Sequence, residues 1–241
     1  MRSEETIDEV KGYGLRIIQP RHGYRFSLDP LLLADFVACG DDARIVDLGS
    51  GCGVLALLLA RRFPGSSVVA VEKQAAMADL ARRNAALNAL AERVAVLEVD
   101  VLDLRSRFAV SGFDAVVSNP PFRVPGTGRV SPREGRDLAR HESTAGLADF
   151  LLAAKYLVRP AGRIFFIHHP SRLAEFAALA RENRLALIRL RLVHGRIGGE
   201  AGMFLAELAK GSRGATTVMP PLIVYGEDGG YTPEVRAILG E

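Results

Sequence analysis

Residues 43–72 read ARIVDLGSGCGVLALLLARRFPGSSVVAVE, and this stretch decides the fold. Arg44, Ile45, Val46, Asp47 and Leu48 form an apolar run of strand length that stops at Gly49-Ser50-Gly51-Cys52-Gly53. Residues 54–62 are rich in Leu and Ala, strong helix formers, and Pro64-Gly65 ends that helix. Residues 67–71 give a second buried strand, tipped by Glu72. The whole reads as one strand–helix–strand unit. Glycines at its first corner let a ligand approach the backbone closely, as only residues without a Cβ can.

Two details narrow the ligand. The spacing is G-x-G-x-G, so the third glycine comes one residue earlier than in the G-x-G-x-x-G of dinucleotide sites. Asp47 ends the first strand and faces the same loop, where a carboxylate would repel a pyrophosphate and attract a cation. S-adenosylmethionine (SAM) carries a sulfonium and an ammonium and no phosphate. Glu72, nineteen residues past Gly53, is placed to accept hydrogen bonds from ribose hydroxyls.

Outward from this unit, strands and helices alternate. Upstream, residues 1–11 are polar without a period and read as a frayed terminus. Residues 12–27 read as one or two short strands, and Asp29-Pro30 as the cap and first turn of a helix over 31–39. Downstream, a helical spacing covers 75–90, followed by strands at 94–99, 113–118 and 163–168. Helices are expected over 147–157 and 171–183, the second capped by Ser171. The late strands 185–193 and 203–209 are joined by a Gly-rich loop and no helix, so one of them runs antiparallel; a last strand is expected within 222–225. This is an α/β chain with a mostly parallel sheet, helices on both faces and no linker or repeat, hence one domain over 1–241.

Composition adds limits. With 49% apolar and 24% charged residues the chain has the make-up of an ordinary globule. It holds no apolar run of about 18 residues and no signal-peptide pattern, which argues against membrane insertion or export and for a cytoplasmic protein. Its only cysteines, Cys39 and Cys52, read as reduced thiols, with no disulfide and no metal site. A net charge of +3 is compatible with a nucleic-acid partner without demanding one.

The first four strands of the unit and its continuation end in Asp47, Glu72, Asp100 and Asn119. In an open α/β sheet, ligands bind beyond the carboxyl ends of the strands, so four polar tips read as a site. Asn119-Pro120-Pro121-Phe122 is the most informative tetrapeptide. An exocyclic amine conjugated to a ring is a poor nucleophile because its lone pair is delocalised. Asn119 Oδ1 and the Pro120 carbonyl, accepting its two N–H bonds, would favour pyramidalisation and aim the lone pair. The prolines hold that carbonyl rigidly, and Phe122 offers a flat face for a heterocycle.

These motifs carry a resemblance. D-L-G-S-G-C-G followed by V-V-A-V-E resembles the first two motifs of class I SAM-dependent methyltransferases, and N-P-P-F resembles the N/D-P-P-Y/F motif of members acting on planar amino or amide nitrogens. The resemblance implies a Rossmann-like, seven-stranded sheet with one antiparallel strand near the C-terminus. It implies a SAM site made by Asp47, Gly49, Ser50, Gly51, Gly53, Glu72, Lys73, Asp100, Val101 and Asn119, with Asp100 on the adenine amine and Val101 on its ring. Catalysis would fall to Asn119, Pro120, Pro121 and Phe122.

With H-G-Y-R-F-S-L-D at 22–29, the stretch 136–142 and the tail around Tyr225 and Tyr231, most of the chain looks like the tRNA1(Val) adenine-37 N6-methyltransferase family. By that resemblance Tyr24, Arg25, Ser27 and Asp29 would border the cofactor or the substrate entrance, and the partner is a structured RNA, tRNA first. Residues 123–141 hold five arginines against two acids and read as a basic substrate loop spanning 123–146, with Phe122, Arg123, Arg129, Arg133, Arg136 and Arg140 as substrate contacts. Arg189 and Arg191 share a strand face and suit either RNA contact or a charged sheet edge. His168-His169 reads as a strand end. Guanine N2 of rRNA, a protein glutamine amide, and RNA interaction without turnover are the alternatives.

Overall fold

The computed structural model describes residues 4–22, 25–120, 145–212 and 214–241. Its first element is an antiparallel hairpin of β1 (Glu5–Val10) and β2 (Leu15–Pro20). The expected frayed terminus is therefore corrected from residue 5 onward. Its polar sequence has a partner that composition does not reveal: Arg83 donates to both oxygens of Glu5 at 2.6 Å. Helix α1 (Asp29–Phe36) follows, with Leu28 rather than Asp29 at the N-cap and Asp29 already inside the first turn. The expected cap is thus shifted by one residue.

The organising unit forms as its composition dictates: β3 (Arg44–Leu48), α2 (Val54–Arg62), then β4 (Ser67–Glu72). Next come α3 (Ala75–Leu87), β5 (Val94–Glu98) and β6 (Phe113–Ser118). After residue 144 the chain continues through α4 (Leu147–Leu157), β7 (Val158–His168), α5 (Leu173–Glu182), β8 (Leu185–His194) and β9 (Ala201–Lys210). Two-residue strands β10 (Thr217–Val218) and β11 (Leu222–Ile223) and helix α6 (Pro233–Leu239) complete it. Ser171 does not cap α5. A short 3-10 turn, Pro170–Arg172, precedes that helix, and His169 caps it by accepting from the Ser171 N–H.

The main sheet runs β5-β4-β3-β6-β7-β9-β8, with β10 and β11 pairing along the outer edge of β8. β9 alone is antiparallel to both of its neighbours, which makes the late hairpin and fits the expected single reversal. The seven long strands match the expected sheet; β10 and β11 are edge additions.

Alternation along each strand sorts the core into two layers. Ile45, Ala115, Val117, Phe165 and Ile167 face a cluster with α1, α2 and α6, whereas Val46, Leu48, Val116, Ile164 and Phe166 face α4 and α5. Because β4 and β6 flank β3 on opposite sides, the chain reverses direction across the sheet at β3/β6. That switch point opens a crevice at the carboxyl ends of the strands. Among the described residues no helix is long and apolar enough to cross a membrane.

Candidate active site

Register brings the strand tips together. Leu48 pairs with Val71 on one side and with Ser118 on the other, and Glu72 pairs with Glu98. The residues that follow, Gly49, Asn119 and Asp100, therefore lie along one edge of the sheet. Ser118 fixes this alignment: it is buried, and its Oγ donates to the Leu48 carbonyl at 2.8 Å, tying β6 to β3 just before Asn119.

The glycine corner is built to admit a ligand. The Gly49 and Ser50 N–H groups both donate to Val71 O at 2.9 Å, which carries the β3/β4 pairing into the loop. Gly51 has φ +55° with open space where a Cβ would point. Gly53 has φ +85°, and a Cβ there would lie 3.0 Å from that of Ala81, so only glycine lets α2 start against α3.

Two carboxylates converge on this corner. Asp47 is 1% exposed and faces the first turn of α2, where the Ala56 N–H donates to it. Burial, and secondarily the nearby Glu72, push its carboxyl up to about 8. Glu72 is buried too; its oxygens accept from Gly51 N at 2.9 Å and Gln74 N at 2.8 Å, yet burial still raises its pKa. Among the described residues Asp47 Oδ2 and Ser50 Oγ are buried without a hydrogen-bond partner.

Two desolvated acids, two orphaned oxygens and an open backbone cradle call for a ligand bearing positive charge and hydrogen-bond donors. The residues present fit a cationic nucleoside such as SAM and do not fit a pyrophosphate.

Other expected cofactor residues are already engaged. Asp100 accepts from Leu102 N at 3.1 Å, capping the 3-10 turn Val101–Ser106, and pairs with Lys73 Nζ at 2.8 Å. Burial alone would raise its pKa, but those two donors together hold it below the usual carboxylate range. Val101 is buried between this turn and α4. Asn119 and Pro120 lie at the crevice, and among the described residues nothing hydrogen-bonds the Asn119 amide. Pro121, Phe122, Arg123, Arg129, Arg133, Arg136, Arg140 and Tyr24 lie outside the described residues.

Several candidates are placed elsewhere. Arg25 pairs with Asp8 and donates to Thr6 Oγ1 at 2.9 Å, which ties it to the hairpin. Arg189 pairs with Glu207, donates to Phe36 O at 3.1 Å and covers the Phe36 ring at 4.4 Å. Arg191 donates to Pro220 O at 3.0 Å and pairs with Glu234 at 2.6 Å. Both β8 guanidiniums thus hold the sheet edge to its covering segments. Cys52 is a buried free thiol pushed up to about 11 by burial, so it packs the loop and is no nucleophile.

Sequence reading missed Asn84. This wholly buried α3 residue accepts from Ile18 N at 2.7 Å and donates to Ile18 O at 3.1 Å and to Cys52 O at 2.9 Å. One side chain thereby joins the N-terminal hairpin to the glycine loop. Its position four residues after Leu80, on the apolar stripe of α3, was the available signal.

Comparison with known proteins agrees with this geometry. The methyltransferase small domain family matches residues 29–133. A tRNA1(Val) (adenine(37)-N6)-methyltransferase of Porphyromonas gingivalis is 33% identical over 220 residues, covering 87% of this chain and 85% of its own length. A release factor glutamine methyltransferase of Chlorobaculum tepidum is 34% identical over 154 residues, covering 60% of this chain and 51% of its own length. The crystal structure of a predicted O-methyltransferase from Agrobacterium tumefaciens superposes with a TM-score of 0.72 at 27% identity, covering 87% of this chain and 94% of that one.

Proposed function

The chain belongs to the tRNA1(Val) (adenine(37)-N6)-methyltransferase family, and from that premise we propose that it methylates N6 of an adenine in tRNA, using SAM, as a single cytoplasmic domain. The observation that carries the reading is the crevice at the β3/β6 switch point, where buried carboxylates stand beside Asn119 and Pro120.

When bound, SAM supplies an electrophilic methyl group on a sulfonium, which departs as a neutral thioether. Asp47 and Glu72 would hold the cationic, hydroxyl-bearing ligand, Asp47 as its carboxylate with the proton passing to solvent. Ser50 Oγ and the Gly51 backbone complete the cradle. Asp100, fixed by Lys73, would accept from the base end of the ligand, and Val101 would pack on its ring.

Asn119 Oδ1 and the Pro120 carbonyl accept the two N–H bonds of the target amine and hold its nitrogen pyramidal. Phe122 stacks on the base. Arg123, Arg129, Arg133, Arg136 and Arg140 neutralise phosphates around it. The work is alignment, so no strong general base is needed.

A second reading, transfer to a protein glutamine amide, has support from the Chlorobaculum tepidum relative, because a planar amide would use the same two acceptors. The tRNA reading is preferred because that match spans 51% of its relative, against 85% for the tRNA enzyme. Asn119→Ala should leave SAM affinity within a factor of two and lower the transfer rate about 10²–10³-fold, the usual cost of losing one preorganised polar contact. Transfer at the wild-type rate in that variant would remove Asn119 from the mechanism.

A further inference from the structure

At the end of the sheet remote from the crevice, α4 and the turn after β5 border a depression of about 210 Å³. Its lining is Arg105, Val110, Leu152, Lys155, Tyr156 and Lys210, which includes three cations and no acid. Two of its apolar members are unusually open, Val110 at 59% and Leu152 at 42% exposure, and a third exposed apolar residue, Leu102, lies in the adjoining depression that shares Arg105, Leu152 and Tyr156.

Two of the three cations are held in place. The Arg105 guanidinium lies 5.4 Å over the Tyr156 ring, and Tyr156 Oη donates to Phe108 O at 2.9 Å. Lys210 Nζ donates to Ser111 Oγ at 3.3 Å and Val158 O at 3.2 Å, which leaves one of its three N–H bonds for a ligand. None of the three cations forms an ion pair with a described carboxylate. Arg159 and Arg163, by contrast, are paired with Asp114 and Glu207.

We propose that this cationic shelf is a second docking surface for the tRNA, holding its sugar–phosphate backbone away from the nucleotide being methylated. Three cations in a lining that holds no carboxylate match an array of phosphates, with Asp149 confined to the adjoining depression, and the open Leu152 and Val110 surfaces suit ribose faces. Position supports a long ligand. Val110 precedes β6 and Asn119 follows it, so shelf and crevice are separated by a six-residue strand, roughly 20 Å at 3.3 Å per residue. Lys155 and Tyr156 sit in the last turn of α4, the helix that in the chain follows the arginine-rich residues 123–141. A bound nucleotide cannot span that distance, whereas a folded RNA can.

The inference rests on the tRNA reading, and the test separates the two. Wild-type enzyme and the double variant Arg105→Ala/Lys155→Ala are assayed for methyl transfer into unmodified tRNA at several salt concentrations, with SAM affinity and Tm measured alongside. Wild-type label in tRNA tests the reading itself; the ratio between the proteins tests the shelf. The variant should show a KM for tRNA raised about tenfold, with kcat at saturating tRNA, SAM affinity and Tm unchanged. Its log–log salt dependence should be shallower by about 1.5–2, as expected for two lost phosphate contacts. Unchanged KM and salt slope would overturn the shelf. So would light scattering showing that the wild type is a dimer which the variant abolishes, since the shelf would then bind a second copy.

Discussion

Asp47 is the most deeply buried acid of the proposed cofactor cradle, and its state can be tested without any substrate. Its carboxyl is raised to about 8 by burial first and by Glu72 second. The native protein therefore holds a proton on it between pH 3.8 and 8 that the unfolded chain has lost. Where the native state binds more protons, stability falls as pH rises. His168 acts in the opposite sense: buried and stacked on Phe204, it is lowered to about 4, so its contribution is complete above 6.5 and is lost as pH falls toward 4. Between about pH 7.5 and 8 His168 is essentially neutral in both states, and the effect of the acids stands clear. Ligand-free wild-type protein should lose stability across that window by up to about 1.4 kcal/mol per pH unit from Asp47 alone. Asp47→Asn should flatten the slope in denaturant titrations at the two pH values. Equal slopes in both proteins would mean that Asp47 is ionised at neutral pH without a ligand.

At the scale of elements, the N-terminal hairpin is the informative case. A two-stranded ribbon is marginal by itself, and β1–β2 is stabilised by α3, which supplies polar side chains where a third strand would supply backbone. Asn84 brackets Ile18, Asn88 brackets Arg16 at 2.8 and 2.7 Å, and Arg83 clasps Glu5. Asn84 also reaches the Cys52 carbonyl in the glycine loop, whereas Asn88 instead bonds the Asn84 carbonyl. Asn84→Ala should therefore cost about 1–3 kcal/mol for each buried group left unsatisfied and also weaken SAM binding several-fold. Asn88→Ala should lower stability with SAM affinity kept, as calorimetry at a temperature where both remain folded can show. Equal loss of affinity in both variants would contradict a link through Cys52.

The same hairpin shows where the sequence stopped being legible. Elements with a period or a local signal, such as the Leu/Ala run of α2 or the Val-rich β4, could be read from the chain, as could the polar strand tips. β1 has neither, because beyond its pairing with β2 it is anchored by Arg83 on Glu5, far along the chain. Capping was misread for a local reason: Asp29 and Ser171 are good caps by type, but Leu28 and His169 occupy the positions that matter. The engagement of Arg189 and Arg191 likewise depends on α1 and α6 packing over the β8 edge, which no spacing in the sequence encodes.

For the molecule as a whole, the two ends of the sheet divide the labour under the proposed function. The carboxyl ends gather the acids proposed to meet a cationic cofactor, while the opposite end carries the cationic shelf. The modest net charge of +3 hides this separation. The central claim is that the crevice delivers a methyl group to an adenine of tRNA. The measurement that tests it most directly is transfer of labelled methyl from SAM into unmodified tRNA, rRNA and whole-cell protein, each digested to nucleosides or amino acids. The account predicts label in N6-methyladenosine from tRNA. Label in N2-methylguanosine, label released only by protease, or no transfer by a protein that binds SAM would each contradict it.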